Sequence, residues 1–130
     1  MLILGHRFID SENFYHIDSI DSIQNTPPSS TLFVKFSEDN LDIIKHITIN
    51  SMQLALEVKG ITQIIYANSL EASFIIVDKN LAKTAQDLAQ NYLFDAKILV
   101  SIDNEEDIEE LALLGVDGII FSNAIIKINS

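Results

Sequence analysis

The sequence predicts an α/β domain on a parallel sheet, a three-layer open sandwich with helices on both faces. Three observations carry this. Five short apolar runs recur from residue 31 onward: "TLFVKF" (31–36), "MQLALEV" (52–58), "SFIIVD" (73–78), "AKILVSI" (96–102) and "DGIIFS" (117–122). These runs are near-continuous rather than alternating, as in strands covered on both faces. Amphipathic helical patterns separate them, and strict strand–helix alternation implies right-handed crossovers between parallel strands. A half β/α barrel that pairs with a second copy is the alternative, and patterning alone does not separate the two.

A single domain, 1–130, accounts for the chain, with 1–30 as an N-terminal strand or hairpin extension and 31–128 as repeated β-α units. Within the extension, "LILGHRFI" and "NFYHI" read as strands around the short loop "DSE". "DSIDSIQNT" reads as a short helix and "PPSS" as a rigid connector. After Ser37, the residues Leu41, Ile44 and Ile47 line a helix, and Ile61, Ile64 and Ile65 line another after Gly60. In "NLAKTAQDLAQNYLF", Leu81, Ala85, Leu88, Ala89 and Tyr92 share one face. In "DNEEDIEELALLG", Ile108, Leu111 and Ala112 do the same, with Asp103 as N-cap and Glu106 three residues on. Gly115 stands where that helix must end, which predicts a left-handed conformation there; Asn50 holds the matching place before residues 52–58.

Composition excludes several functions. The chain has 130 residues, 48% of them hydrophobic, enough for one proper core. No apolar run approaches the roughly 20 residues of a membrane helix. "MLILGHRFID" lacks the basic start and long apolar centre of a signal peptide. There is no cysteine, so disulfides, thiol catalysis and cysteine metal sites are excluded. A cytoplasmic protein is expected. A net charge of −11, with 8 Lys and Arg against 19 Asp and Glu and no basic cluster, argues against nucleic-acid binding. Four glycines, none in a glycine-rich loop, provide neither a dinucleotide fingerprint nor a P-loop, and there is no G-x-S-x-G elbow. His6, His16 and His46 lack metal-ligand spacing. No cofactor, metal or catalytic set is assigned.

Open α/β sheets bind ligands outside the carboxyl ends of their strands. Those ends supply the candidate ligand-binding residues: Lys35 and Ser37, Glu57 and Lys59, Asp78 and Lys79, Ser101 and Asp103, Ser122 and Asn123. Superposing the units makes Glu57, Asp78 and Ser122 equivalent. Ser37, Asn80 and Asp103 are good helix caps. Glu57 and Asp78 directly end apolar strands and lead the list.

"SFIIVDKNLA" resembles the segment of response-regulator receiver domains in which a strand ends on the phosphorylated aspartate. "AKILVSIDNEEDIEELALLGVDGIIFSN" resembles their fourth strand, helix and fifth strand, and "LFVKFSEDNLDIIKHI" their first strand and helix. The resemblance covers about residues 31–125 and implies a flavodoxin-like, receiver-like fold, with Asp78 as acceptor and Ser101 as the sensing hydroxyl. Lys35 and Phe36 replace the family's strand-end acidic pair, and Ser122 and Asn123 stand where it has a lysine; the resemblance therefore implies a degenerate member. "LLGVDGIIF" is also similar to late units of phosphate-binding β/α barrels.

The expected function is a non-enzymatic regulatory or binding module. Its expected partner is a protein or a small anionic or phosphorylated ligand, not nucleic acid or membrane, and a homo-oligomer is compatible. The alternative is an enzyme on a small phosphorylated metabolite, with Glu57, Asp78 or Asp103 as metal ligand or general base. A third reading is a structural protein whose main property is dimerisation.

Overall fold

The computed structural model describes residues 1–129, in which strands and helices alternate from residue 31 to residue 121. The extension supplies β1 (Leu2–Leu4) and β2 (Phe14–His16). The repeated units follow as β3 (Thr31–Lys35), α1 (Leu41–Ile49), β4 (Gln53–Glu57), α2 (Ile61–Ser69), β5 (Phe74–Val77), α3 (Ala82–Asn91), β6 (Lys97–Ile102), α4 (Asp107–Leu114) and β7 (Gly118–Phe121). A last strand, β8 (Ile125–Lys127), comes after a short 3₁₀ turn, Ser122–Ala124. All eight strands form one parallel sheet in the order β1-β7-β6-β5-β4-β3-β2-β8.

From β3 to β7 each strand lies beside its predecessor, so every crossover steps the same way and its helix falls on the same face. The core divides accordingly. One cluster joins Leu32, Val34, Leu54, Leu56, Ile75, Val77, Ile98 and Val100 to helix residues such as Ile44, Ile47, Ile64, Ala85 and Leu111. The other holds the alternate strand residues Leu4, Phe14, Phe33, Ala55, Ile76, Leu99 and Ile120, with Ala124 and no helix residue. The α/β class and the parallel strands are as the sequence predicts. The helices, however, lie on one face, and the other face is covered by the sheet curling onto itself, the half-barrel build.

Chain length makes the curl unavoidable. Between β7 and β8 the sheet takes six strand-to-strand steps, about 29 Å if flat. The chain from Phe121 to Ile125 can reach only about 14 Å. Only a curled sheet brings those strands close enough. Gly5, in the left-handed region (φ 90), seats the end of β1 on this turn: an added Cβ would stand 3.0 Å from the Ala124 Cβ and 3.2 Å from the Phe121 Cβ. The inner residues are level in pairs (Phe33 with Ala55, Ile76 with Leu99, Ile120 with Leu4) and step by two at β2/β3, β4/β5 and β6/β7. That stagger is what tilted strands of a closing sheet require. Gly118 on β7 is forced by this packing, since a Cβ would lie 2.7 Å from both Leu2 Cβ and Leu99 Cδ2.

The four helices end alike. Met52, Ala72, Phe94 and Val116 donate their N–H groups back to Ile47, Ala67, Ala89 and Leu111, each across a left-handed residue. Only one of those residues is glycine: Gly115 at φ 85, as predicted; the others are Ser51, Glu71 and Leu93, at φ 55, 64 and 52. Asn50 itself stays at φ −89, so the left-handed position falls one residue later than expected. Asp103 does not cap α4; an extra turn intervenes, in which the Asn104 side chain accepts the N–H of Glu106. Tyr92 sits past the end of α3 and is exposed rather than packed. Beneath β6 and β7, Asp117 accepts the Ile98 N–H at 2.8 Å and donates its own to buried Gln86 at 3.0 Å.

Candidate functional site

Alternation of side chains along each strand places the next inward position, two residues beyond the apolar plug, at the open carboxyl end of the curled sheet. That position is polar throughout: His16 after Phe14, Lys35 after Phe33, Glu57 after Ala55, Asp78 after Ile76, Ser101 after Leu99, Ser122 after Ile120 and Lys127 after Ile125. The result is a polar mouth over a dry floor, with Phe14, Ala55, Ile76, Leu99 and Ile120 all at 0% exposure. The predicted equivalence of Glu57, Asp78 and Ser122 is therefore one of register. Five of the cations, Arg7, Lys35, Lys59, Lys79 and Lys127, stand at or just past strand ends.

The mouth has two sides. On the β5–β6–β7–β1 side the polar groups hold loops. Asp78 accepts the Leu81 N–H at 3.1 Å and caps the turn into α3, the role the sequence suggests for Asn80. Lys79 reaches outward to Asp107 on α4, 2.9 Å away, and that contact raises its pKa. Ser101, Ser122 and Asn123 are exposed, and Asp103 borders an open hollow with Gly5, His6, Arg7, Asn104, Glu105 and Phe121. His6 has both ring nitrogens engaged: Nδ1 accepts the Phe8 N–H at 3.1 Å, so Nε2 carries the proton it donates to Glu105 at 2.8 Å. That hydrogen bond, followed by the charge of Arg7, holds the Glu105 carboxyl below its usual range. A histidine so engaged is a strap between the β1–β2 and β6–α4 loops.

On the β8–β2–β3–β4 side the groups face one another. His16 is the register partner of Lys127, and Lys35 of Glu57. The His16 ring stands edge-on to Phe33, centroids 4.9 Å apart, with Nε2 3.5 Å from Asp18 Oδ1. Lys127 pairs with Asp18, and its hydrogen bond lowers the Asp18 pKa. Burial and then the Lys127 charge lower the His16 pKa, more than Asp18 raises it. Glu57, half-buried, has Lys59 at 3.5 Å. Lys35 forms no ion pair among the described residues. Ser37 caps the next turn, accepting the Asp39 N–H.

Glu57, Asp78 and Asp103 have separate neighbours: Glu57 has Lys59 at 3.5 Å, Asp78 caps a turn, and Asp103 borders the hollow beside Gly5, His6 and Arg7. No group of three His, Asp or Glu side chains could hold a metal ion among the described residues. Sequence reasoning missed His16, Asp18 and Lys127 because their strands were short and not counted as units. Their signal was the spacing Phe14-x-His16 and Ile125-x-Lys127, which repeats Phe33-x-Lys35. No helix among the described residues is long and apolar enough to cross a membrane. Comparison with known proteins finds no family model and no curated protein that matches this chain.

Proposed function

We propose that this domain is a non-catalytic binding module that takes a small anionic ligand in the mouth of its curled sheet. The observation that carries the reading is the ring of polar inward positions, from His16 to Lys127, over a closed apolar floor. Such a surface presents charge and hydrogen-bonding groups at one end of the sheet without a channel beneath them. The enzyme alternative is the weaker reading, because Asp78 is committed to the Leu81 N–H and no group of three His, Asp or Glu side chains among the described residues could hold a metal ion. Titration with a panel of small anionic metabolites, followed by amide NMR, tests the proposal. Shifts at residues 16, 35, 57, 101 and 127, with every added compound recovered unchanged, are the expected result. Product formation, or shifts confined to the opposite rim, would overturn it.

A further inference from the structure

We propose that the β8–β2–β3–β4 side of the mouth is a site for the dianion of a small phosphomonoester, held by Lys35, Lys127 and His16. This rests on the binding reading above and narrows it to one ligand class and one wall. Register places the three together: Lys127 is level with His16, His16 with Phe33, and Lys35 lies two residues beyond Phe33 on the same inward face. The edge-on contact with Phe33 fixes the imidazole over the floor rather than in solvent. Lys35 brings an ammonium that has no carboxylate partner among the described residues, and Lys127 one shared with Asp18.

Charge selects the ligand. Lys35, Lys59 and Lys127 against Asp18 and Glu57 leave one net positive charge at this wall, in a chain of net −11. A carboxylate would be satisfied by Lys35 alone. A phosphomonoester has a second ionisation near pH 6 and presents about two charges and three strong acceptor oxygens at neutral pH. Two ammonium groups and an imidazole N–H match that number of acceptors. Glu57 and Asp18, at the edge of the same wall, accept hydrogens from hydroxyl groups on the remainder of the ligand.

The site has a signature that general salt binding lacks. The groups facing His16 are Lys127, Asp18, Lys35 and Glu57, and with burial they leave its imidazole less basic than usual. A dianion seated between the lysines reverses that balance and raises the His16 pKa. The test follows the His16 ring resonances through a pH titration with inorganic phosphate, with ribose 5-phosphate and with chloride at matched ionic strength. Expected are a rise in the His16 pKa with both phosphates only, amide shifts at 16, 35 and 127, and affinity at least tenfold weaker in Lys35→Ala and in Lys127→Ala. Lys35→Arg should retain binding. Both lysines are solvent-exposed, so an unchanged thermal melt checks the fold of each variant. Phosphate shifts clustered at Ser101, Asp103 and Ser122 would overturn this inference and leave the binding reading standing. No response to either phosphate would overturn it as well. Inorganic phosphate released from the ester, with the His16 signature present, would keep this site and sink the non-catalytic reading.

Discussion

Phe14 and Phe74 meet inside the sheet with ring centroids 5.0 Å apart, although their strands, β2 and β5, are three places apart in the strand order. In a flat sheet that separation would be about 14 Å. The contact shows that a single chain seals its own inner face. Phe14→Ala should therefore cost about 3–5 kcal/mol, as for a fully buried aromatic. Chemical denaturation measures it. A loss under about 1 kcal/mol would mean that the inner face is looser than the contact implies.

Helix ends provide a test with opposite signs. Leu93 is left-handed at φ 52 and 85% exposed, so Leu93→Gly removes strain without emptying the core. It should stabilise by roughly 0.5–1 kcal/mol. Gly115→Val, at φ 85, should destabilise by about 1–2 kcal/mol. Thermal melts of both variants decide, and equal signs would refute the argument.

Asp117 ties β6 to β7 and α3 through Ile98 and Gln86. Asp117→Ala leaves the Ile98 N–H without its acceptor, while the backbone N–H of residue 117 still donates to Gln86. A loss of about 1–3 kcal/mol is expected, with amide exchange accelerated at Ile98 before it changes at Ile76. Uniform acceleration across the sheet would contradict that local account.

Acidification should weaken the fold in two steps. His16 has a folded pKa below its ordinary 6.5, so the unfolded chain takes up the proton more readily and stability falls as pH drops below that value. Asp18 and Glu105 have folded pKa values below their ordinary 3.8 and 4.5. Their contribution is present above those values and is lost as pH falls through the lower folded ones. Denaturant midpoints from neutral to acid pH in the native chain and in His16→Gln check this; the variant should lack the upper step only.

Asp78 should not behave as a phosphoryl acceptor. Its Oδ1 is occupied by the Leu81 N–H, and among the described residues it belongs to no group of three His, Asp or Glu side chains that could hold a metal ion. Beryllofluoride with magnesium should leave the amide spectrum around residue 78 unchanged. A stoichiometric adduct lost in Asp78→Asn would make this a working receiver.

The repeated units were legible because each carries its own signal: a two-sided apolar strand, an amphipathic helix and a polar strand end. The curl was not, because it depends on where β1, β2 and β8 pair, and three-residue strands such as Leu2–Leu4 and Ile125–Lys127 have too little sequence to show a period. The same shortness concealed half the candidate site. Lys35 and Glu57 were visible as strand ends, whereas His16 and Lys127 acquire meaning only once β2 and β8 are known to be neighbours. Asp78 both ends a strand and caps the following turn, two roles that look alike in sequence.

The Ser122–Ala124 turn also sets the order of assembly. Strands β3 to β7 can pair as each leaves the ribosome, because every partner is the preceding strand. The first two strands must wait: β1 needs β7, and β2, though it can pair with β3 early, gains its second neighbour only when β8 has been made. The Asp18–Lys127 contact spans 109 residues, the kind of distant closure that slows folding. A nascent chain stalled before residue 125 would therefore present an unpaired edge of β2 and an unsealed Phe14, and would be the form most open to proteases and chaperones.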